Sequence, residues 1–210
     1  PRRLFTSRHF KSPTERFPFR FLPGPVRAFT TKEIKSFLRD QTQWSQIFLV
    51  AALIVIYLYN FSVLPLEQSS IRITYLQNVL SFLNVALAAF VLAAVSARFV
   101  FPAVSQEGEA FWIVRSSPIS IRTFLRIKFF VYFLPLLILS EVLIVVTNLL
   151  LHVTPFMMVL SILTILFMVP GIVSMGLGLG AIYPDFQAEN PAQSVSSLGG
   201  LIYMSLSVGF

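Results

Sequence analysis

Glu141 is the only acid in an apolar run from about Phe129 to Val153. An ionised carboxylate at that depth in a membrane is costly unless it is paired or wetted, so Glu141 should face protein or a cavity. Two chemistries fit: part of a substrate or proton path, or a protonated acid hydrogen-bonded to a neighbouring helix. Asn60, Asn84 and Asn148 suit helix-to-helix hydrogen bonding in the same apolar surroundings. Gly171, Ser174, Gly176, Gly178 and Gly180 form a small-residue ribbon with a Gly176-xxx-Gly180 spacing that lets another helix approach closely. These glycines do not read as a phosphate loop, because they lie inside an apolar run and no Gly-Lys-Ser/Thr occurs in the chain. His9 and His152 are far apart, no Ser-His-acid or His-Glu-xx-His arrangement is present, and catalysis has no visible residues.

The elements that hold these residues follow from composition. Of the 210 residues 56% are hydrophobic and only 12% charged, against about 25% charged in soluble domains. The chain therefore reads as an all-α, polytopic transmembrane helical bundle. Apolar runs place spans at about 47–64, 76–97, 129–153 and 156–183, with a shorter run at 198–210 that further chain should complete. His152 to Pro155 leaves room only for a tight hairpin between the third and fourth spans. Pro135 and Pro170-Gly171 can bend their helices. With no cysteine, disulfides and thiolate metal sites are excluded.

The net charge of +7 resides in residues 1–40, which hold 10 of the 16 Lys and Arg against 3 of the 9 acids. Beside apolar spans this is a positive-inside signal and a contact for anionic lipids, which places the amino-terminal arm and the 98–128 connection in the cytoplasm. Prolines at 13, 18, 23 and 25 interrupt the basic residues, so 1–29 reads as a linker and not as a nucleic-acid-binding helix. Over 30–46, Thr30 and Glu33 have capping-box spacing, and Ile34, Phe37 and Leu38 form an apolar stripe. A cationic interfacial helix ending at Trp44 is expected there.

The 98–128 connection carries a short helix of its own. Ser105, Glu107 and Glu109 suit its start, Phe111 and Trp112 follow, and Ser117-Pro118 restarts the chain toward Lys128 and the third span. Adjacent aromatics and carboxylates fit an interfacial anchor or a docking surface, and composition leaves both open.

Arg39-Asp40 with Gln43-Trp44-Ser45-Gln46, Phe111-Trp112 with Ser117-Pro118, and Pro184-Asp185-Phe186 with Glu189-Asn190-Pro191 before Ser197-Leu198-Gly199-Gly200 resemble the permease subunits of bacterial export-type ABC transporters. The resemblance implies a six-helix unit in the bacterial inner membrane, working with a second permease half and an ABC ATPase subunit that holds the ATP and magnesium. In that scheme the permease unit itself carries no enzyme activity and no cofactor. It implies that 30–44 is the elbow helix, with Arg39, Gln43 and Trp44 at the membrane interface. It makes 105–117 the coupling helix, with Glu107, Glu109, Phe111, Trp112, Arg115 and Pro118 meeting the ATPase. Glu141 and Asn148 are then path candidates, and Gly176, Gly178 and Gly180 a packing face. The rival readings are a proton-coupled carrier through Glu141 and a membrane scaffold that recruits a cytosolic protein.

Overall fold

The computed structural model describes residues 23–39, 41–63, 73–187 and 191–210. The basic arm at 1–22, Asp40, and Glu189-Asn190 lie outside them. Among the described residues every regular element is helical: α1 (Gly24–Arg39), α2 (Gln41–Ser62), α3 (Ile73–Phe99), α4 (Phe111–Ser116), α5 (Ile121–Leu150), α6 (Pro155–Ile182), α7 (Pro191–Val195) and α8 (Leu198–Gly209), with 3-10 turns at Phe101–Ala103 and Ser105–Ala110 between α3 and α4.

Three segments are long and apolar enough to cross a membrane: Gln77–Gly108, Ile121–Leu150 and Pro155–Ile182. At the two other expected spans the described residues give shorter apolar helices, Val50–Asn60 and Leu198–Gly209, so three of the expected spans are of membrane length among the described residues.

The core forms where α3, α5 and α6 meet. Ser161, Ile165, Val169, Ile172, Val173, Gly176, Leu177 and Gly180 recur at helical spacing and make the buried stripe of α6. They pack on Ala88, Leu92 and Val95 of α3 and on Tyr132, Leu136, Leu143 and Ile144 of α5. The outward faces of the same helices are apolar too, with Phe156 and Phe167 among the most exposed side chains, as expected where lipid is the solvent.

Helix boundaries differ from the expected ones where side-chain chemistry decides them. α1 begins at Gly24, so Thr30 is interior, and its hydroxyl donates to the Val26 carbonyl at 2.9 Å instead of capping. α5 is capped by Ser120, whose oxygen accepts from the Thr123 N–H at 3.2 Å, and not by Ser117-Pro118. The Trp44 indole N–H donates to the Leu38 carbonyl at 3.0 Å, which satisfies an end group of α1 at its junction with α2.

The α5–α6 hairpin closes through His152, whose φ of 50° is left-handed. The His152 N–H donates to the Leu149 carbonyl and the Val153 N–H to the Asn148 carbonyl, a Schellman close of a helix end. Glycine fits that conformation without the Cβ penalty. His152→Gly is therefore expected to raise stability by about 1 kcal/mol, seen as a higher unfolding temperature in detergent.

Candidate functional site: a charge-locked helix junction

The charged residues that the sequence scatters over 32–128 meet at one end of the bundle. Lys128, on the first turns of α5, is 2% exposed, and its Nζ lies 2.9 Å from Glu33 Oε2 and 2.8 Å from Glu107 Oε1. Lys32 Nζ sits 2.5 Å from the other Glu107 oxygen and 3.5 Å from Glu33 Oε1, and its side chain remains 47% exposed. Two cations thus alternate with two carboxylates and tie α1, the 105–110 turn and α5 together. Burial pushes the Glu33 carboxyl above its ordinary range, opposed by the Lys128 ammonium and reinforced by Glu107.

Aromatic rings surround this cluster. Lys128 lies over the Phe124 ring at 5.1 Å and Lys32 over Phe29 at 4.9 Å, while Phe29 meets Phe124 edge-on. Phe111 stacks on Phe186 at 5.0 Å and meets Phe124 edge-on at 6.2 Å. The Asp185 N–H donates to Ser105 Oγ at 3.0 Å, so the segment after α6 is fastened to the same turn. Gly108 stands in this turn with φ of 52° and ψ of −140°, a conformation open to glycine alone.

The expected coupling residues therefore separate into two sets. Glu107 is consumed by the ion pairs and Phe111 by ring packing, so both face inward. Trp112 and Ile113, 66% and 53% exposed, stand on the outer edge of α4 with Arg115, and Pro118 follows exposed. The side chain of Glu109 lies outside the described residues, as does that of Gln43. Arg39 and Trp44 are exposed around the α1–α2 junction.

The expected path residues, both on α5, differ in their surroundings. Glu141 is half-buried, and its Oε1 is covered without a hydrogen-bond partner among the described residues. Asn148 is fully buried, with its carbonyl oxygen accepting from Ser81 at 3.0 Å and from Asn84 at 3.4 Å. Asn84 in turn donates to Thr147 Oγ1 at 2.6 Å and accepts from the Tyr57 hydroxyl. This network clasps α2, α3 and α5. Asn60 donates to the Ile56 carbonyl of its own helix.

In α6, a Cβ on Gly176 would meet Val100 at 3.2 Å, and one on Gly180 would meet the Phe101 carbonyl oxygen at 2.2 Å. Gly178 has nothing within 4 Å, so the expected packing face rests on Gly176 and Gly180 without it. Sequence reading gave Glu33 as a capping-box partner of Thr30 and Phe186 as part of the Pro184-Asp185-Phe186 motif, and it placed neither of them, nor Lys32, at this junction. Glu33 is the one acid of α1 and adjoins the apolar stripe of Ile34, Phe37 and Leu38, which is a signal in the sequence for a buried partner.

Geometry and composition define a class: a membrane-length helical protein whose charged residues bind its helices together at one end. The chain matches the family described as "Putative ATP-binding cassette" over residues 3–210, and it belongs to that family. No curated protein and no solved structure gives a significant match.

Membership corrects expectations drawn from the resemblance. The family is described as an ATP-binding cassette, not as a permease. That overturns the reading as a permease subunit without enzyme activity, with ATP and magnesium held only by a partner ATPase. The proton-coupled carrier and the scaffold fall with it.

The family description implies a nucleotide, and the described residues do not fit one. A phosphate cradle needs free backbone N–H groups in a glycine loop at a helix start, with a lysine beside them. Gly176 and Gly180 lie inside α6 against α3 and the Phe101 backbone. Gly199 and Gly200 do open a helix, but Tyr183 lies 2.5 Å from a Cβ at Gly199 and the Val195 carbonyl 1.9 Å from one at Gly200. The Gly200 N–H is already bonded to Ser197 Oγ. Nor do any three His, Asp or Glu side chains among the described residues cluster to hold a metal ion.

Proposed function

We propose that this chain supplies membrane-embedded helices to an ATP-binding-cassette transporter, with its charged end on the cytoplasmic side. The outer edge of α4, Trp112 and Ile113 with Arg115 and Pro118, is the surface on which a cytoplasmic part of the transporter bears. The observation that carries this reading is the division within α4. Phe111 anchors the helix to the ion-paired junction, while two large apolar side chains face outward from a fixed base. A displacement of α4 is then passed through the 105–110 turn to α1 by the Glu107–Lys32 pair and to α5 by the Glu107–Lys128 pair. Clustered basic residues at this end support its cytoplasmic placement, and Arg39 and Trp44 suit the headgroup layer there.

The chain has no native cysteine, so single-cysteine variants report one position each. Ile113→Cys in the full-length protein should react with a membrane-impermeant maleimide only from the cytoplasmic face, and Phe156→Cys, at the hairpin end, only from the opposite face. Adding Mg-ATP to native membranes should change the labelling rate at 113 and leave 156 unchanged. Equal labelling from one face at both positions, or a rate at 113 indifferent to Mg-ATP, sinks the proposal.

A further inference from the structure

Glu141 makes no hydrogen bond or ion pair among the described residues, although one of its carboxyl oxygens is fully covered. It lies about 13 Å from the Leu150 end of α5, near the middle of a hydrocarbon layer about 30 Å thick. At that depth the cost of a carboxyl is offset by a hydrogen-bonding partner, which a lipid chain does not offer. The buried polar groups of the bundle, Ser81, Asn84, Thr147 and Asn148, bond to one another and not to Glu141.

The face of α5 that carries Glu141 also carries Leu134, Ile138 and Val145. Alternating steps of four and three residues, as between these positions, make the seam along which one helix packs on another. Leu134 and Ile138 are 58% and 57% exposed, so this part of the seam is uncovered.

A second copy supplies what the seam lacks. Copies of one chain enter the membrane in the same orientation, so a twofold axis along the membrane normal sets two α5 helices side by side and parallel. Each Glu141 then stands at the depth of the other. A neutral carboxyl is both donor and acceptor, so two of them satisfy each other without any further group. A different helix would need a donor of its own at that depth, whereas the second copy has one by symmetry.

We propose that α5 is a self-association surface, on which Leu134 and Ile138 of two copies pack together and the two Glu141 carboxyls hydrogen-bond to each other. The pairing rests on the reading of these helices as membrane-embedded and not on the role given to α4. It also gathers two ion-paired junctions on one side of the membrane, since Lys128 stands on the first turns of each α5.

The test is oxidative crosslinking of the full-length protein in lipid bilayers, with one cysteine introduced at a time and no other present. Leu134→Cys and Ile138→Cys are expected to give a disulfide-linked pair of copies, and Phe90→Cys, as exposed on α3, is expected to give none. Adding Glu141→Leu to Ile138→Cys should weaken self-association about tenfold, read as loss of the linked pair at a correspondingly lower lipid dilution. Adding Glu141→Gln should retain the pair, because an amide still donates and accepts. Linked pairs at Phe90 in the same yield, or undiminished in Glu141→Leu, overturn the proposal. So does a product in native membranes that links this chain to a different protein, which would assign the seam to another subunit. If no pair forms while cysteines at 113 and 156 still label from opposite faces, self-association fails and the membrane-embedded reading stands.

Discussion

Replacing Lys128 with methionine is expected to cost the protein about 3–5 kcal/mol. The loss comes from what remains, not from a favourable energy of the pairs themselves. Glu33 and Glu107, 7% and 5% exposed, would face each other with only half-exposed Lys32 to share, and a buried charge without its partner is the costly state. If this account is right, neutralising the acids restores the fold. Lys128→Met/Glu33→Gln/Glu107→Gln should recover most of the unfolding temperature in detergent, because a well-packed neutral cluster performs about as well as a buried ion network. Parental stability for Lys128→Met alone would show that the junction is held by the Phe29, Phe111 and Phe124 rings instead.

The second large effect lies in α6 and separates two glycines two positions apart. Gly180→Ala drives a methyl group into the Phe101 carbonyl oxygen, a backbone atom that cannot rotate away. Phe101 is itself fully buried and stacked on Tyr203, so the strain has nowhere to go. Overpacking of this kind costs about 1–3 kcal/mol, and the backbone contact puts Gly180→Ala at the upper end. Gly178→Ala meets open space and should gain about 0.5–1 kcal/mol from lower backbone entropy in the unfolded chain. Paired unfolding measurements in one detergent check the contrast, and equal effects would mean that α6 does not pack on the 101–103 turn as described.

These two sites show what the sequence made readable. Gly176-xxx-Gly180 announced close packing because spacing along one helix fixes which residues share a face. The same periodicity gave α5, α6 and the tight connection between them. The ion-paired junction was not readable in this way. Glu33, Glu107 and Lys128 come from three elements, and nothing in local spacing says that they converge. Phe111 and Trp112 show the same limit: composition gives them as adjacent aromatics, but residues adjacent on a helix point about 100° apart, and here Phe111 turns inward to Phe186. The capping box at Thr30 failed because α1 extends upstream to Gly24, where no strong helix-start residue precedes it.

The α5–α6 hairpin has a consequence for how the chain reaches the bilayer. Between Lys128 and Asp185 the only ionisable acid or base is Glu141 besides His152 at the tip, and the tip closes on its own backbone hydrogen bonds. Nothing strongly charged has to be carried across with it. In the orientation proposed above, the two helices leave the insertion machinery together as a preformed pair, with the cationic start of α5 as an anchor on the side of synthesis. Such a pair would fix the orientation of every later segment, and an arginine placed in the 152–154 turn would put that order of events in conflict with itself.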